Sequence, residues 1–204
     1  MAAISMVCSR LGTSCREVHV VASSGECKEL LIWMDREWSG EYGIKAVEIH
    51  NDGSSSEFTF IPSEEQQATG KVTYYAHKEN KSLLLFEPGK ALMKAGAFNL
   101  TAEKFGICKL GRSTHYYITD DPEKVTMLKR HGKVFRIIET AQLDKRSLKE
   151  FGRKYPKSEV TARNIPMDTD TLRKKTGVTS GDDAHIIGLK SDLEGNLLIA
   201  AKPL

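Results

Sequence analysis

Apolar and polar residues repeat with two different periods along the last third of the chain. Val134–Thr140, Ser158–Arg163, His185–Lys190 and Leu197–Ala201 are short apolar runs of the kind that predicts strands. Between them, Leu148, Phe151 and Tyr155 fall at helical spacing around Asp144–Lys154, and Asp168–Thr176 repeats the arrangement. Asp144 is placed to cap the first helix, with Leu143 and Leu148 as a hydrophobic staple. Asp168 does the same for the second, with Met167 and Leu172. Pro156 stops one helix and Gly177 the other, and Asp192-Leu-Glu-Gly195 turns the final two strands into a hairpin. The order βαβαββ suits a ferredoxin-like sheet with both helices on one face.

Upstream, Val18–Ala22 and Leu30–Trp33 predict a hairpin around Gly25. Lys45–His50 and Phe58–Ile61 follow as third and fourth strands, separated by the turn Asn51-Asp-Gly53. Strands this closely bunched need a covering layer, so residues 1–61 look like half a sheet whose other layers lie elsewhere. The polar stretch 62–70 has no periodicity and is expected to be a linker. Leu83–Phe86 predicts a strand, about Lys90 to Phe105 a helix with Gly96 inside it, and Thr114–Thr119 another strand.

Charge changes this picture. Residues 1–62 carry a net charge of −4 and residues 63–143 a net charge of +4. Residues 144–177 alone hold 10 Lys/Arg against 5 Asp/Glu, and the last 27 residues return to −2. Positive charge concentrated on two helices and one strand makes a phosphate backbone a natural partner. The residues singled out for that contact are Lys149, Arg153, Arg163, Asn164, Arg173, Lys174 and Lys175. Aromatics for base stacking are scarce nearby, which favours recognition of structured RNA by shape and backbone. A solvated basic face that merely keeps the module soluble is the competing reading.

Candidate chemistry is thin. There is no Walker loop, G-x-G-x-x-G, H-E-x-x-H or G-x-S-x-G motif, and the six histidines are scattered singly. The four cysteines, Cys8, Cys15, Cys27 and Cys108, form neither a C-x-x-C pair nor a dense even spacing, so neither a zinc site nor a disulfide framework is expected. No apolar run approaches a membrane span or a secretory signal, and a cytoplasmic location is expected.

Several phrases of the chain resemble one family. They are Val18-His-Val-Val-Ala22 with Glu26-Cys-Lys-Glu-Leu-Leu31, Phe86-Glu-Pro88 with Met93-Lys-Ala-Gly-Ala-Phe98, and Ala102-Glu-Lys-Phe-Gly106. Val160-Thr-Ala-Arg-Asn-Ile-Pro166, with Leu172-Arg-Lys-Lys175 and Gly181-Asp-Asp183, completes the set. In this order they resemble the C-terminal part of a bacterial family of class I S-adenosylmethionine-dependent methyltransferases with a THUMP-like C-terminal domain. The resemblance implies an α+β chain in four parts. Residues 1–61 would be the end of a Rossmann-like methyltransferase sheet, rich in β-hairpins, and 62–70 a linker. Residues 71–135 would be a ferredoxin-like middle domain, and 136–204 a THUMP-like βαβαββ domain related to modules that deliver RNA to modifying enzymes.

The family's glycine-rich cofactor loop and catalytic motif are absent from this sequence. The implied role is therefore RNA binding and substrate presentation, with tRNA or rRNA as partner. By itself the chain is expected to bind no S-adenosylmethionine and to be inactive. The alternatives are a protein-interaction subunit that completes a separately encoded methyltransferase half, or an inactive truncated fragment.

Overall fold

A computed structural model describes residues 2–73 and 83–204. The chain folds as two compact units, and it passes from one to the other several times. Met1–Lys71, Pro88–Gly106 and Thr126–Lys133 form the first; Val72–Glu87, Ile107–Val125 and Val134–Leu204 form the second.

The first unit is built on a four-stranded sheet. Its strands are β1 (Cys15–Ser23), β2 (Glu26–Met34), β3 (Gly43–Ile49) and β4 (Ser55–Phe60), in the order β2-β1-β3-β4. β1 and β2 are the expected hairpin; its turn places Ser24 and Gly25 at φ 52° and 76°, the left-handed pair that a tight two-residue hairpin needs. β1 and β3 run parallel, and β4 returns antiparallel to β3. Helix α1 (Ala2–Leu11) precedes the sheet. The segment expected to be a linker instead forms helix α2 (Pro62–Gln67), with Pro62 in the first turn and Glu64 closing back on the Ile61 N–H at 2.8 Å.

The expected helix of residues 90–105 is two helices, α3 (Lys90–Ala95) and α4 (Phe98–Phe105). Gly96 adopts φ 84° and caps the first rather than sitting inside one rod. α3 packs on β3, β1 and β2, so the covering layer missing from residues 1–61 is supplied from within the same chain. The α4 N-terminus is closed by Glu65 of α2. Its buried carboxylate accepts from the backbone N–H of Asn99 at 2.8 Å and of Leu100 at 2.9 Å. Helix α5 (Val125–Lys129), which the periodicity did not reveal, ends just before the strand that begins at Gly132.

The second unit carries one seven-stranded sheet in the order β6-β7-β5-β8-β11-β10-β9. The strands are β5 (Leu84–Pro88), β6 (Cys108–Lys109), β7 (Tyr117–Thr119), β8 (Gly132–Gln142), β9 (Lys157–Arg163), β10 (Thr179–Ser191) and β11 (Gly195–Pro203). Helices α6 (Lys145–Lys154) and α7 (Thr169–Thr176) fall where the sequence placed them, and Asp144 and Asp168 cap them. The βαβαββ order is as expected, but the strands lie in the order β8-β11-β10-β9. A ferredoxin-like sheet interleaves its strands differently: here the last strand inserts beside the first, where it pairs antiparallel with both β8 and β10.

Both faces of this sheet are covered. Leu148, Phe151, Tyr155 and Leu172 of the helical layer pack on Ile186, Leu198 and Ala200. The opposite face carries Ile187, Leu189, Leu197 and Ile199, and these pack on Leu83, Leu85, Leu110, Tyr116 and Ile118. The β6–β7–β5 end of the sheet therefore folds back over the outer face of its own central strands. This explains why β10 and β11 read as continuous apolar runs rather than alternating ones.

Candidate nucleic-acid interface

The cations of α6 are sorted by the helix itself. Asp144 accepts from the Ser147 N–H at 2.8 Å and fixes the first turn, and Leu148 and Phe151 go to the core. Lys145, Lys149 and Arg153, four residues apart, are left as one exposed row. None of the three makes an ion pair among the described residues. The other two cations of the helix are engaged: Arg146 pairs with Glu150 at 2.8 Å, and Lys154 with Glu139 at 2.5 Å.

Helix α7 lies against α6 where α6 has Gly152. A Cβ at that position would sit 2.9 Å from the carbonyl carbon of Thr176 and closer still to its oxygen. The two helices thus meet backbone to backbone. Beside the contact lies an open cleft of about 790 Å³, lined by Lys145, Lys149, Arg153, Gly152 and Thr176 together with the Arg146–Glu150 pair. Lys174 and Lys175, in the last turn of α7, are exposed and favourably placed at a helix C-terminus.

The remaining residues expected at the interface are committed elsewhere. Arg173 turns back onto β9, 3.4 Å from the Glu159 carboxylate and 3.5 Å from the Ser158 carbonyl. Arg163 pairs with Glu87 of β5 at 3.1 Å and lies 5.9 Å from the centroid of the fully buried Tyr116 ring. Burial and the Glu87 charge push the Tyr116 hydroxyl well above the ordinary phenol range. Its neighbour His115 is held at about 4, chiefly by burial and then by the charges of Lys109 and Arg163. Asn164, at φ 57°, donates to the Ser113 carbonyl at 2.5 Å.

The expected set therefore divides. α7 runs back along β9, so its last turn meets the start of that strand through Arg173. Its first turn meets the strand's end, where Thr169 Oγ1 accepts from the Ala162 N–H at 3.1 Å. An eight-residue helix separates the two ends by about 12 Å. Lys149, Arg153, Lys174 and Lys175 gather at one end with Lys145. Arg163 and Asn164 stand at the other, where they tie β9 to β5 and to the loop before β7. The Glu87 and Tyr116 partners were not legible in the sequence, because both come from a segment more than 40 residues upstream. Gly152 was a legible signal: a glycine facing inward near the end of an otherwise strong helix marks a close approach.

Among the described residues, the other polar clusters do not form a reactive site. In the first unit His50 Nε2 lies 3.2 Å from Ser56 Oγ, a spacing compatible with a nucleophile and its base. Ser56, however, is buried and donates its proton to the Arg130 carbonyl, so the imidazole faces a hydroxyl already spent. Nearby, burial raises the Glu48 carboxyl above its usual range and lowers His131. The buried Cys8 and Cys15 sulfurs are 3.4 Å apart, and burial pushes the Cys8 thiol up to about 12, away from the reactive thiolate. No group of three or more potential metal ligands exists among the described residues, and no described helix is long and apolar enough to cross a membrane.

The parallel strands β1 and β3 both leave their C-terminal ends through tight turns into antiparallel partners. Among the described residues, neither of these two strands leads through a glycine-rich loop into a helix.

Comparison with known proteins agrees with this architecture. Residues 84–124 match a family model described as a ferredoxin-like domain, and residues 132–203 match one described as THUMP domain-like. The chain is an α+β protein containing both domains. A crystal structure of a putative methyltransferase from Porphyromonas gingivalis W83 superposes with a TM-score of 0.81 at 25% sequence identity. The match covers 93% of this chain and 46% of that one, so the present chain spans about half the length of its structural relative. No protein of curated function matches.

Proposed function

We propose that the chain is the RNA-binding, substrate-presenting portion of a methyltransferase. Catalysis and S-adenosylmethionine binding would be supplied by a body that these 204 residues do not contain. The observation that carries the reading is the row Lys145, Lys149 and Arg153 beside Lys174 and Lys175, uncompensated cations on the helical face of a THUMP-like domain. Domains of this type generally bind RNA, and a row of point charges without flanking aromatics suits the backbone of a structured RNA. Arg163, Asn164 and Arg173 contribute by holding β9 and α7 in place rather than by direct phosphate contact. tRNA or rRNA is the expected class of partner, and the cytoplasm the expected location.

Fluorescence anisotropy with labelled tRNA and with a structured rRNA fragment, repeated over a salt series, tests this. With four or five phosphates engaged, log K should fall against log salt with a slope of roughly −3 to −4. The double variant Lys149→Glu with Arg153→Glu should weaken binding at least tenfold and flatten the slope by about 2. Arg163→Ala should leave the slope unchanged. An affinity indifferent to salt, or no binding of either RNA, would refute the proposal.

A further inference from the structure

The helical face of the second unit's sheet continues past the end of its core. Every second residue of β10 and β11 points to that face, and Ile186 and Leu198 lie there in the core with the helices. Two residues further along β10, Gly188 leaves room for Ile165; a Cβ there would stand 2.7 Å from Ile165 Cδ1 and 2.9 Å from Leu172 Cδ2. Two residues beyond again comes Lys190, with Asn196 directly across the hairpin. These cross-strand partners share the face and form a polar floor where the apolar layer stops.

Around that floor three loops enclose a cleft of about 770 Å³, within the range of about 300–1,000 Å³ seen for ligand sites. They are Ser113-Thr114 before β7, Asn164-Ile165-Pro166 after β9, and the β10–β11 hairpin itself. All three belong to the second unit. The walls are tied to one another. Asn164 donates to the Ser113 carbonyl, Thr114 Oγ1 donates to the Lys190 carbonyl, and Asp192 Oδ2 accepts from the Arg112 N–H at 2.9 Å. Ile165 anchors the second loop over Gly188. The cleft is thus formed before anything enters it, which lowers the ordering cost of binding.

The groups that face it are unspent. Among the described residues Lys190 makes no ion pair and the Asn196 side-chain amide no hydrogen bond, while Asp192 keeps Oδ1 as an acceptor. An ammonium suits a phosphate, an amide suits the donor and acceptor edge of a base, and a carboxylate oxygen suits a sugar hydroxyl. Pro166 adds an apolar side wall. The cation row on α6 can hold a backbone, but it has no group that reads a base. The cleft adjoins that helix: Leu143, just before α6, donates its N–H to the Asn196 carbonyl at 2.9 Å.

We infer that this cleft holds one unpaired ribonucleotide of the RNA whose backbone follows α6. Its phosphate meets Lys190, its ribose hydroxyl Asp192 and its base edge Asn196. Asn164, held left-handed at φ 57°, is a positioning residue that shapes the wall. The inference rests on the RNA-binding reading above.

Two measurements on the full chain test it. In the first, the nitrogen-15 NMR spectrum is followed while the four ribonucleoside 5′-monophosphates and their 2′-deoxy counterparts are added in turn. Shifts should centre on the amides of Ser113, Lys190 and Asn196 and on the Asn196 side chain, and at least one ribonucleotide should bind threefold or more tighter than its deoxy form. In the second, tRNA affinity is measured over the salt series. Asn196→Ala should weaken it about tenfold with the salt slope unchanged. Lys190→Ala should weaken it about threefold and flatten the slope by about 1. Both variants should keep the parent's urea midpoint, since neither side chain has a partner to lose. Parent-like tRNA binding by both variants, or shifts that avoid the cleft, would overturn the inference and leave the earlier proposal standing. If the parent chain binds no RNA, the earlier proposal fails; cleft shifts in that chain would overturn the RNA nucleotide in favour of a free one.

Discussion

Gly152→Ala offers a test in which two elementary effects have opposite signs. In an exposed helix the substitution should stabilise, since glycine in a helix interior costs about 1 kcal/mol relative to alanine. Here the new methyl would meet the backbone of Thr176, 2.9 Å from its carbonyl carbon and nearer its oxygen, with no flexible side chain to yield. Relief requires α6 to move away from α7 by more than an ångström, which opens the packing of Phe151 and Leu172 on Ile186 and Leu198. Overpacking of a core usually costs about 1–3 kcal/mol, and a clash between two backbones belongs at or above the top of that range. After the gain in helix propensity, we expect a net loss of about 2–3 kcal/mol. Urea denaturation followed by circular dichroism, with a shared m-value, measures it directly. RNA affinity should fall in parallel, because the cleft between Lys149, Arg153 and Thr176 is built on this contact. A variant as stable as the parent, or more stable, would show that the helices do not meet as described.

Three further outcomes follow from the same geometry. Asp144→Ala and Asp168→Ala should each cost about 1 kcal/mol in urea denaturation, as each removes the side-chain cap of one helix. Glu65→Ala should cost about 2–4 kcal/mol, since the buried carboxylate closes two backbone donors at the start of α4; Glu65→Gln should recover part of the loss. For pH, His115 titrates near 4 in the folded chain against its ordinary 6.5, so the unfolded chain binds the extra proton first. Its contribution to stability is intact above pH 6.5 and is lost as pH falls from there toward 4. His115→Asn, which tolerates the φ of 56°, should flatten that acid limb of the urea midpoint; an unchanged slope between pH 7 and 5 would contradict the assignment.

Local signals carried most of the terminal module. Caps at Asp144 and Asp168, stops at Pro156 and Gly177, and a hairpin at Gly195 are interactions between near neighbours, so sequence displays them directly. What sequence did not display depends on distance along the chain. Gly96 reads equally well as a helix interior or a helix end, and only the packing of α3 on β1 and β3 decides. Residues 62–70 look like a linker because Glu65, which ties α2 down, answers donors 34 and 35 residues away. The basic residues were expected as one surface spanning two helices and one strand. Their division into a free group and a tethered group was not legible, because Glu87 and Ser113, which hold Arg163 and Asn164, lie 76 and 51 residues upstream.

The fold-back of the seven-stranded sheet bears on how the protein is made. β10 and β11 carry the apolar residues of both its layers, and Leu83, Leu85, Tyr116 and Ile118 wait more than 60 residues for the surface they cover. The second unit therefore cannot close before β11 has emerged, however early its first strands appear, and its assembly is governed by long-range closure. Ending the chain at Glu194 would remove all of β11 and strand both layers at once. For the same reason a fragment of residues 136–204, complete in its own secondary structure, should emerge with one greasy face of its sheet bare and collect as aggregate.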